Sequence, residues 1–193
     1  MKNDFQKEFD SIVDKAIEEQ PILLGALLAR LFAERKVGFT IVGGAAVQFY
    51  TQAEYTTSDL DVILTGDETA DIEYVMNKLG FKRTTTYRHF EHPRFKFVVE
   101  FPPSPIEVGN RYIDKVATIE TQFGIVRIIR IEDLIMDRII AAVEWRSPES
   151  LKQAQMLWVK HKKQIDRKYL SEFARSEGYI TTLKKVMRTQ SAR

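Results

Sequence analysis

Phe39-Thr-Ile-Val-Gly-Gly-Ala-Ala-Val-Gln48, together with Asp59-Leu-Asp-Val-Ile-Leu64, is the stretch on which the reading of this 193-residue chain turns. Fourteen residues lie between Gly44 and Asp59. The pattern reads as an apolar strand ending in paired glycines, a short helix, and a second apolar strand that opens with two carboxylates. Alternate residues of a strand share a face, so Asp59 and Asp61 stand side by side while Leu60 and Val62 face the other way. Two like charges that close repel by ~4 kcal/mol at an effective dielectric near 20. A strand built only for stability gains nothing from them. A divalent cation relieves the repulsion, and hard oxygen ligands are what Mg²⁺ selects.

The glycine pair adds a second element to the same site. Glycine lets the backbone approach a ligand, and the free amides of a helix N-terminus attract anions. Tight strand-to-helix turns also use glycine for purely structural reasons. Beside Asp-Leu-Asp, however, phosphate and metal ligands would converge at the ends of neighbouring elements. A third acid, Glu100, lies on the polar side of Phe95 to Phe101, where Phe95, Phe97, Val99 and Phe101 alternate with Lys96, Val98 and Glu100. A carboxylate there is costly unless it is paired or metal-bound. The competing reading is an edge-strand glutamate paired with Lys96 or an arginine. Glu91 and Glu107 are weaker substitutes in loops or near prolines.

Working outward, Phe5, Phe9, Ile12, Val13, Ala16 and Ile17 recur at helical spacing and predict a helix stopping near Gln20, before Pro21. A more apolar helix is expected from about Ile22 to Glu34. Strands follow at Thr40 to Val42 and Asp59 to Leu64, with a helix between them from about Ala45 to Thr51. Gly66-Asp67 marks a turn into a helix from Thr69 to Leu79. Strands are then expected at Phe81 to Tyr87, Phe95 to Phe101, Ala117 to Thr121 and Ile125 to Ile129, the last two joined as a hairpin. The rest is helical: about Glu132 to Trp145, then a helix capped by Ser147 with Pro148 at its first position, one capped by Asp166, and a basic one from Thr182 to Arg188. Trp145 and Trp158 are expected in the core.

Composition narrows the class. Hydrophobic content of 44% and charged content of 29% suit a soluble globular protein with a sizeable core. No cysteine is present, which excludes disulfides, thiolate metal sites and a thiol nucleophile. The apolar runs are too interrupted for a membrane span and the N-terminus lacks a signal-peptide pattern, so the expected location is cytoplasmic. Residues 152–193 hold eleven Lys or Arg against three acids, a charge that suits either a polyanion such as RNA, nucleotide phosphates, or a solvated surface. His89 and His92, in Arg88-His-Phe-Glu-His-Pro, are too closely spaced and proline-ended for a helical zinc pair and read as surface or substrate-loop residues.

Gly43-Gly44, Asp59-Leu-Asp-Val62 and Val99-Glu-Phe101 together resemble the DNA polymerase β-type nucleotidyltransferase superfamily. Val42-Gly-Gly-Ala-Ala-Val47 with Tyr55-Thr-Thr-Ser-Asp-Leu-Asp61 is similar to small bacterial nucleotidyltransferase-like proteins. Related folds occur in abortive-infection toxins of toxin–antitoxin pairs and in antibiotic nucleotidyltransferases. The resemblance spans about residues 37–176 and implies an α/β (α+β) fold, with a mixed β-sheet flanked by helices. It also implies a division into a nucleotidyltransferase-fold domain, residues 1–130, and a helical C-terminal region, residues 131–193.

By that resemblance Asp59, Asp61 and Glu100 are catalytic and hold two Mg²⁺ or Mn²⁺ ions. Gly43, Gly44, Ala45, Thr57, Ser58 and Arg138 bind the nucleotide, with Asp137 a competing ion-pair partner for Arg138. The partners implied are an NTP and a hydroxyl acceptor, which is RNA, protein or a small molecule, with an antitoxin as a further partner. The alternative is a catalytically weak or inactive protein of the same fold that binds RNA or protein. Ala45 stands where many members carry serine, so that phosphate contact falls to backbone amides; Thr56 replaces a common arginine. Asp-x-Asp phosphatases need threonine or valine where Ile63 stands, and sugar-nucleotide transferases leave the glycines unexplained.

Overall fold

The computed structural model describes residues 2–66 and 69–190; Asp67, read above as part of a turn, lies outside them. In chain order the elements are α1 (Lys2–Val13), α2 (Gln20–Ala33), β1 (Gly38–Ile41), α3 (Gly43–Thr51), β2 (Asp59–Thr65) and α4 (Thr69–Lys78). Five short strands follow: β3 (Lys82–Arg83), β4 (His89–Glu91), β5 (Val98–Glu100), β6 (Glu107–Val108) and β7 (Arg111–Tyr112). The hairpin β8 (Val116–Thr121) and β9 (Gly124–Ile129) leads into α5 (Ile131–Glu144), α6 (Pro148–His161), α7 (Arg167–Ser176) and α8 (Ile180–Met187).

Seven strands form one mixed sheet in the order β3-β4-β5-β2-β1-β9-β8. The β2/β5 and β1/β9 pairs are parallel and the others antiparallel. Period-two alternation divides its two faces. Phe39, Ile41, Leu60, Val62, Leu64, Phe90 and Val99 are buried on one side. There Phe32 of α2 meets Phe39 and Phe101, and Gly25 lies so close to Ile41 that an added Cβ would stand 2.6 Å from its Cδ1. The opposite face carries Asp59, Asp61, Glu100, His89, Glu91 and Lys82. It is covered only in part, by α3 with α5 and α6 behind it.

The first helix ends at Val13, earlier than the apolar periodicity predicts, and leaves Ile17 41% exposed. The buried Gln20 side chain closes that break by donating to the carbonyls of Val13 and Lys15. The expected strands at 81–87 and 95–101 are shorter, reduced to β3 and β5. Burial still alternates from Phe95 through Phe101, so the two faces persist beyond the ladder. Trp158 is buried and donates from Nε1 to the Met187 carbonyl at 3.1 Å, but Trp145 is 78% exposed, contrary to the helical-spacing expectation. It is the first residue beyond α5, where helical periodicity no longer sets its direction.

Ser147 and Asp166 cap their helices, accepting from the amides of Ser150 and Tyr169. Glu132 and Asp133 do more than favour the start of a helix dipole. Asp133 is fully buried, bonded at 3.0 Å to Arg130 Nε and at 2.5 Å to the Tyr169 hydroxyl, while Glu132 accepts from the Asp166 amide. These contacts tie α5 to α7. Across the other boundary, the Tyr50 hydroxyl donates to the Ile129 carbonyl and His161 Nε2 lies 2.7 Å from the Tyr50 carbonyl oxygen.

Candidate functional site

The β2/β5 register fixes the acids. Asp59 pairs with Val98 and Asp61 with Glu100, so Asp61 and Glu100 sit opposite one another on neighbouring parallel strands. Strands lie about 4.8 Å apart, which brings three carboxylates onto one small area of the open face. Glu100 is on an interior strand between β4 and β2, not on an edge. Its partner is neither Lys96 nor an arginine: His89 Nε2 lies 3.1 Å from Glu100 Oε1, and the two residues are paired across β4 and β5.

Gly43 opens α3 with φ of 57°, a conformation side chains disfavour, and a Cβ there would overlap Asp61 Oδ2. Val42 provides no side-chain cap. The Asp61 carboxylate takes that place, accepting from the Gly44 amide at 3.1 Å. The first intrahelical bond runs from the Ala46 amide to the Val42 carbonyl, so the amides of Gly43, Gly44 and Ala45 have no partner within the helix. The Ala45 methyl group itself lines a hollow with Pro21, Ile22 and Phe49. Thr57 is wedged between the two elements. Its Oγ1 accepts from the Asp59 amide and lies 2.5 Å from where a Gly44 Cβ would be. Ser58 is exposed and donates from Oγ to Asp59 Oδ2 at 3.1 Å.

Burial pushes the Asp61 carboxyl up to about 6, against the Gly44 amide, which favours the charged form; Glu100 and Asp59 add repulsion and Arg138 opposes it. Arg138 on α5 is therefore near enough for its charge to act on Asp61. Its guanidinium is held by Asp137 at 2.8 Å and by Gln153 Oε1 at 3.4 Å, so the ion pair expected with Asp137 is present while its charge still reaches Asp61. Burial, with the nearby Glu149 charge, pushes the Tyr55 hydroxyl up. Of the residues singled out in the sequence, the structure gathers Asp59, Asp61, Glu100, Gly43, Gly44, Thr57 and Ser58 and brings the Arg138 charge to Asp61; His89 reads from the sequence only as a surface or substrate-loop residue, and nothing there singles out Gln153. His89 belongs to a three-residue strand too short to show its period, and Gln153 meets Arg138 from a separate helix.

Among the described residues, no three His, Cys, Asp or Glu side chains are grouped to hold a metal ion as they stand. Asp61 is turned to Gly44, Asp59 to Ser58 and Glu100 to His89. The donor chemistry nevertheless fits a hard cation, because the shared face offers carboxylate oxygens whose mutual repulsion raises the proton affinity of Asp61.

No family model matches the sequence, and no curated protein matches it either. Solved structures do match. An antigenic nucleotidyltransferase-like protein from Paracoccidioides brasiliensis superposes with a TM-score of 0.58 at 12% identity, across 86% of this chain and 91% of that one. The chain has the nucleotidyltransferase fold. The solution structure of the antibiotic-resistance factor ANT(2'')-Ia matches with a TM-score of 0.51 at 17% identity, over 86% of this chain and 95% of that one. A crystal structure of ANT(2'')-Ia in complex with adenylyl-2''-tobramycin gives 0.52 and 18%, over 82% and 98%. The seven-stranded sheet with acids on its open face is thus this chain's version of the nucleotidyltransferase fold. Among the described residues no helix is long and apolar enough to cross a membrane.

Proposed function

We propose that this chain is a metal-dependent nucleotidyltransferase that moves an NMP group from an NTP to a hydroxyl of an acceptor. The observation that carries the reading is the register that sets Asp61 opposite Glu100, with Asp59 on the same face, beside the first turn of α3. ANT(2'')-Ia, whose crystal complex holds an adenylylated aminoglycoside, supplies a precedent on the same fold.

In this reading Asp59, Asp61 and Glu100 would hold two Mg²⁺ or Mn²⁺ ions, which when bound would neutralise charge on the phosphates. The amides of Gly43 and Ala45, joined by that of Gly44 when Asp61 releases it, would receive the departing pyrophosphate. Arg138, fixed by Asp137 and Gln153, adds positive charge beside Asp61. Glu100 accepts the proton of the attacking hydroxyl, and His89 holds its carboxylate in place. The α-phosphorus–oxygen bond to the acceptor forms as the bond to pyrophosphate breaks.

The rival reading is a binding protein in which Asp61 keeps the Gly44 amide permanently. Thermal unfolding with Mg²⁺ and each of the four NTPs separates the two. At 100 times Kd a bound nucleotide stabilises by ~2.7 kcal/mol, roughly 5–10 °C in Tm for a chain of this size. At least one NTP is expected to produce a shift that EDTA removes. No shift with any of the four favours the binding protein.

A further inference from the structure

The open face does not end at the three acids. Across β5, β4 and β3 it continues through Val98, Glu91 and Lys82, which follow one another by strand register from Asp59. Lys96, exposed just before β5, lies beside it. At this end of the sheet lies a cavity of about 510 Å³, bounded by Lys82, Glu91, His92, Pro93, Lys96 and Val98. That volume is within the range of small-molecule sites. Among the described residues neither lysine has an ion-pair partner, whereas the neighbouring Arg94 is paired with Asp10 and Arg83 with Glu73.

We propose that this cavity is the acceptor subsite, and that the acceptor is a small hydroxyl compound carrying an anionic group, phosphate or carboxylate, which Lys82 and Lys96 bind. The inference rests on the nucleotidyltransferase reading and names the substrate class for it. Three strand spacings separate the Cα atoms of Asp59 and Lys82, roughly 14 Å, and the flexible lysine stem can shorten that span. An acceptor the size of a sugar phosphate thus reaches from the lysines to the carboxylates. The Asp59, Asp61 and Glu100 carboxylates, with Glu91, leave no continuous basic track for a nucleic acid. Burial, with the nearby charge of Arg94, lowers the proton affinity of His92, so that it lines the cavity as a neutral ring.

The probe is glycerol 3-phosphate, with glycerol as the uncharged control, titrated into the full-length ¹⁵N-labelled protein. Backbone amides of Lys82, Glu91, Lys96 and Val98 are expected to shift with glycerol 3-phosphate and not with glycerol, and Lys82→Ala/Lys96→Ala is expected to weaken binding at least tenfold. Shifts confined to Gly43 and Gly44, an equal response to glycerol, no response, or an unchanged double variant would overturn the proposal. Mg²⁺-nucleotide is titrated separately. Its effect on Gly43 and Gly44 should persist in the double variant, and its absence in the wild type counts against the nucleotidyltransferase reading alone. With labelled NTP and cell extract, label is expected in small anionic molecules and at least tenfold less in the double variant; label entering RNA or protein contradicts the inferred acceptor.

Discussion

Gly43 and Asp61 occupy the same few ångströms, and each dictates what the other can be. An alanine at position 43 meets two penalties: a left-handed backbone, costing about 1–2 kcal/mol for a side-chain-bearing residue, and a Cβ placed onto Asp61 Oδ2. Gly43→Ala is expected to lower stability by at least that amount in urea unfolding and to abolish Mg²⁺-nucleotide binding. Asp61 itself carries a pH signature. Its carboxyl is raised to about 6 in the native protein, against about 3.9 in an unfolded chain. The native state therefore holds the proton more tightly, its advantage is complete below about pH 4, and it is lost as pH rises through 6. In EDTA, Asp61→Asn should match the wild type near pH 4 and exceed it by on the order of 2–3 kcal/mol at pH 7.5. A difference independent of pH would mean that the burial and repulsion around Asp61 are wrongly assigned. On the proposed reading Mg²⁺ would bind the ionised carboxylate, so its stabilisation of the wild type should be larger at pH 8 than at pH 5.

At the scale of elements, the buried Asp133 joins α5 to α7 through Tyr169, with Arg130 on its other side. Tyr169→Phe leaves one carboxylate oxygen without that donor and is expected to cost about 1–3 kcal/mol. Urea unfolding of the variant measures it, and a change below ~0.5 kcal/mol would show that Arg130 alone satisfies Asp133. This tie also shows where sequence reading stops. Glu132-Asp133 is legible as the start of a helix, yet nothing local announces that both acids reach α7, because their partners lie more than thirty residues away. Asp59-Leu-Asp and Phe95 to Phe101 were legible because a period of two is written in adjacent residues. The strands β3, β4, β6 and β7 hold two or three residues each, too few to display any period. His89, the partner of Glu100 in place of the Lys96 or arginine of the competing reading, was lost with β4. The break after Val13 was hidden as well, since Ala16 and Ile17 continue the apolar spacing while the chain has already turned.

For the whole molecule, the open sheet face is shaped by what covers it: α3, α5 and α6 close one end and leave the β5–β4–β3 end uncovered. Tyr50, His161 and Ile129 stitch the helical C-terminal part to the sheet, and Glu54 pairs with Lys160 at 2.8 Å. Unfolding is therefore expected to be one cooperative transition, with far-UV circular dichroism and the fluorescence of buried Trp158, recorded in a Trp145→Phe background, sharing a midpoint. Two separated midpoints would mean that residues 131–193 form an independent unit. The central claim, that the acids on this face transfer a nucleotidyl group, is tested most directly by incubating the protein with α-labelled NTPs, Mg²⁺ and a cell extract, beside Asp59→Asn and Asp61→Asn. Label should enter an acceptor with the wild type, fall at least a hundredfold with either variant, and disappear with EDTA; equal labelling by the wild type and both variants would contradict the account.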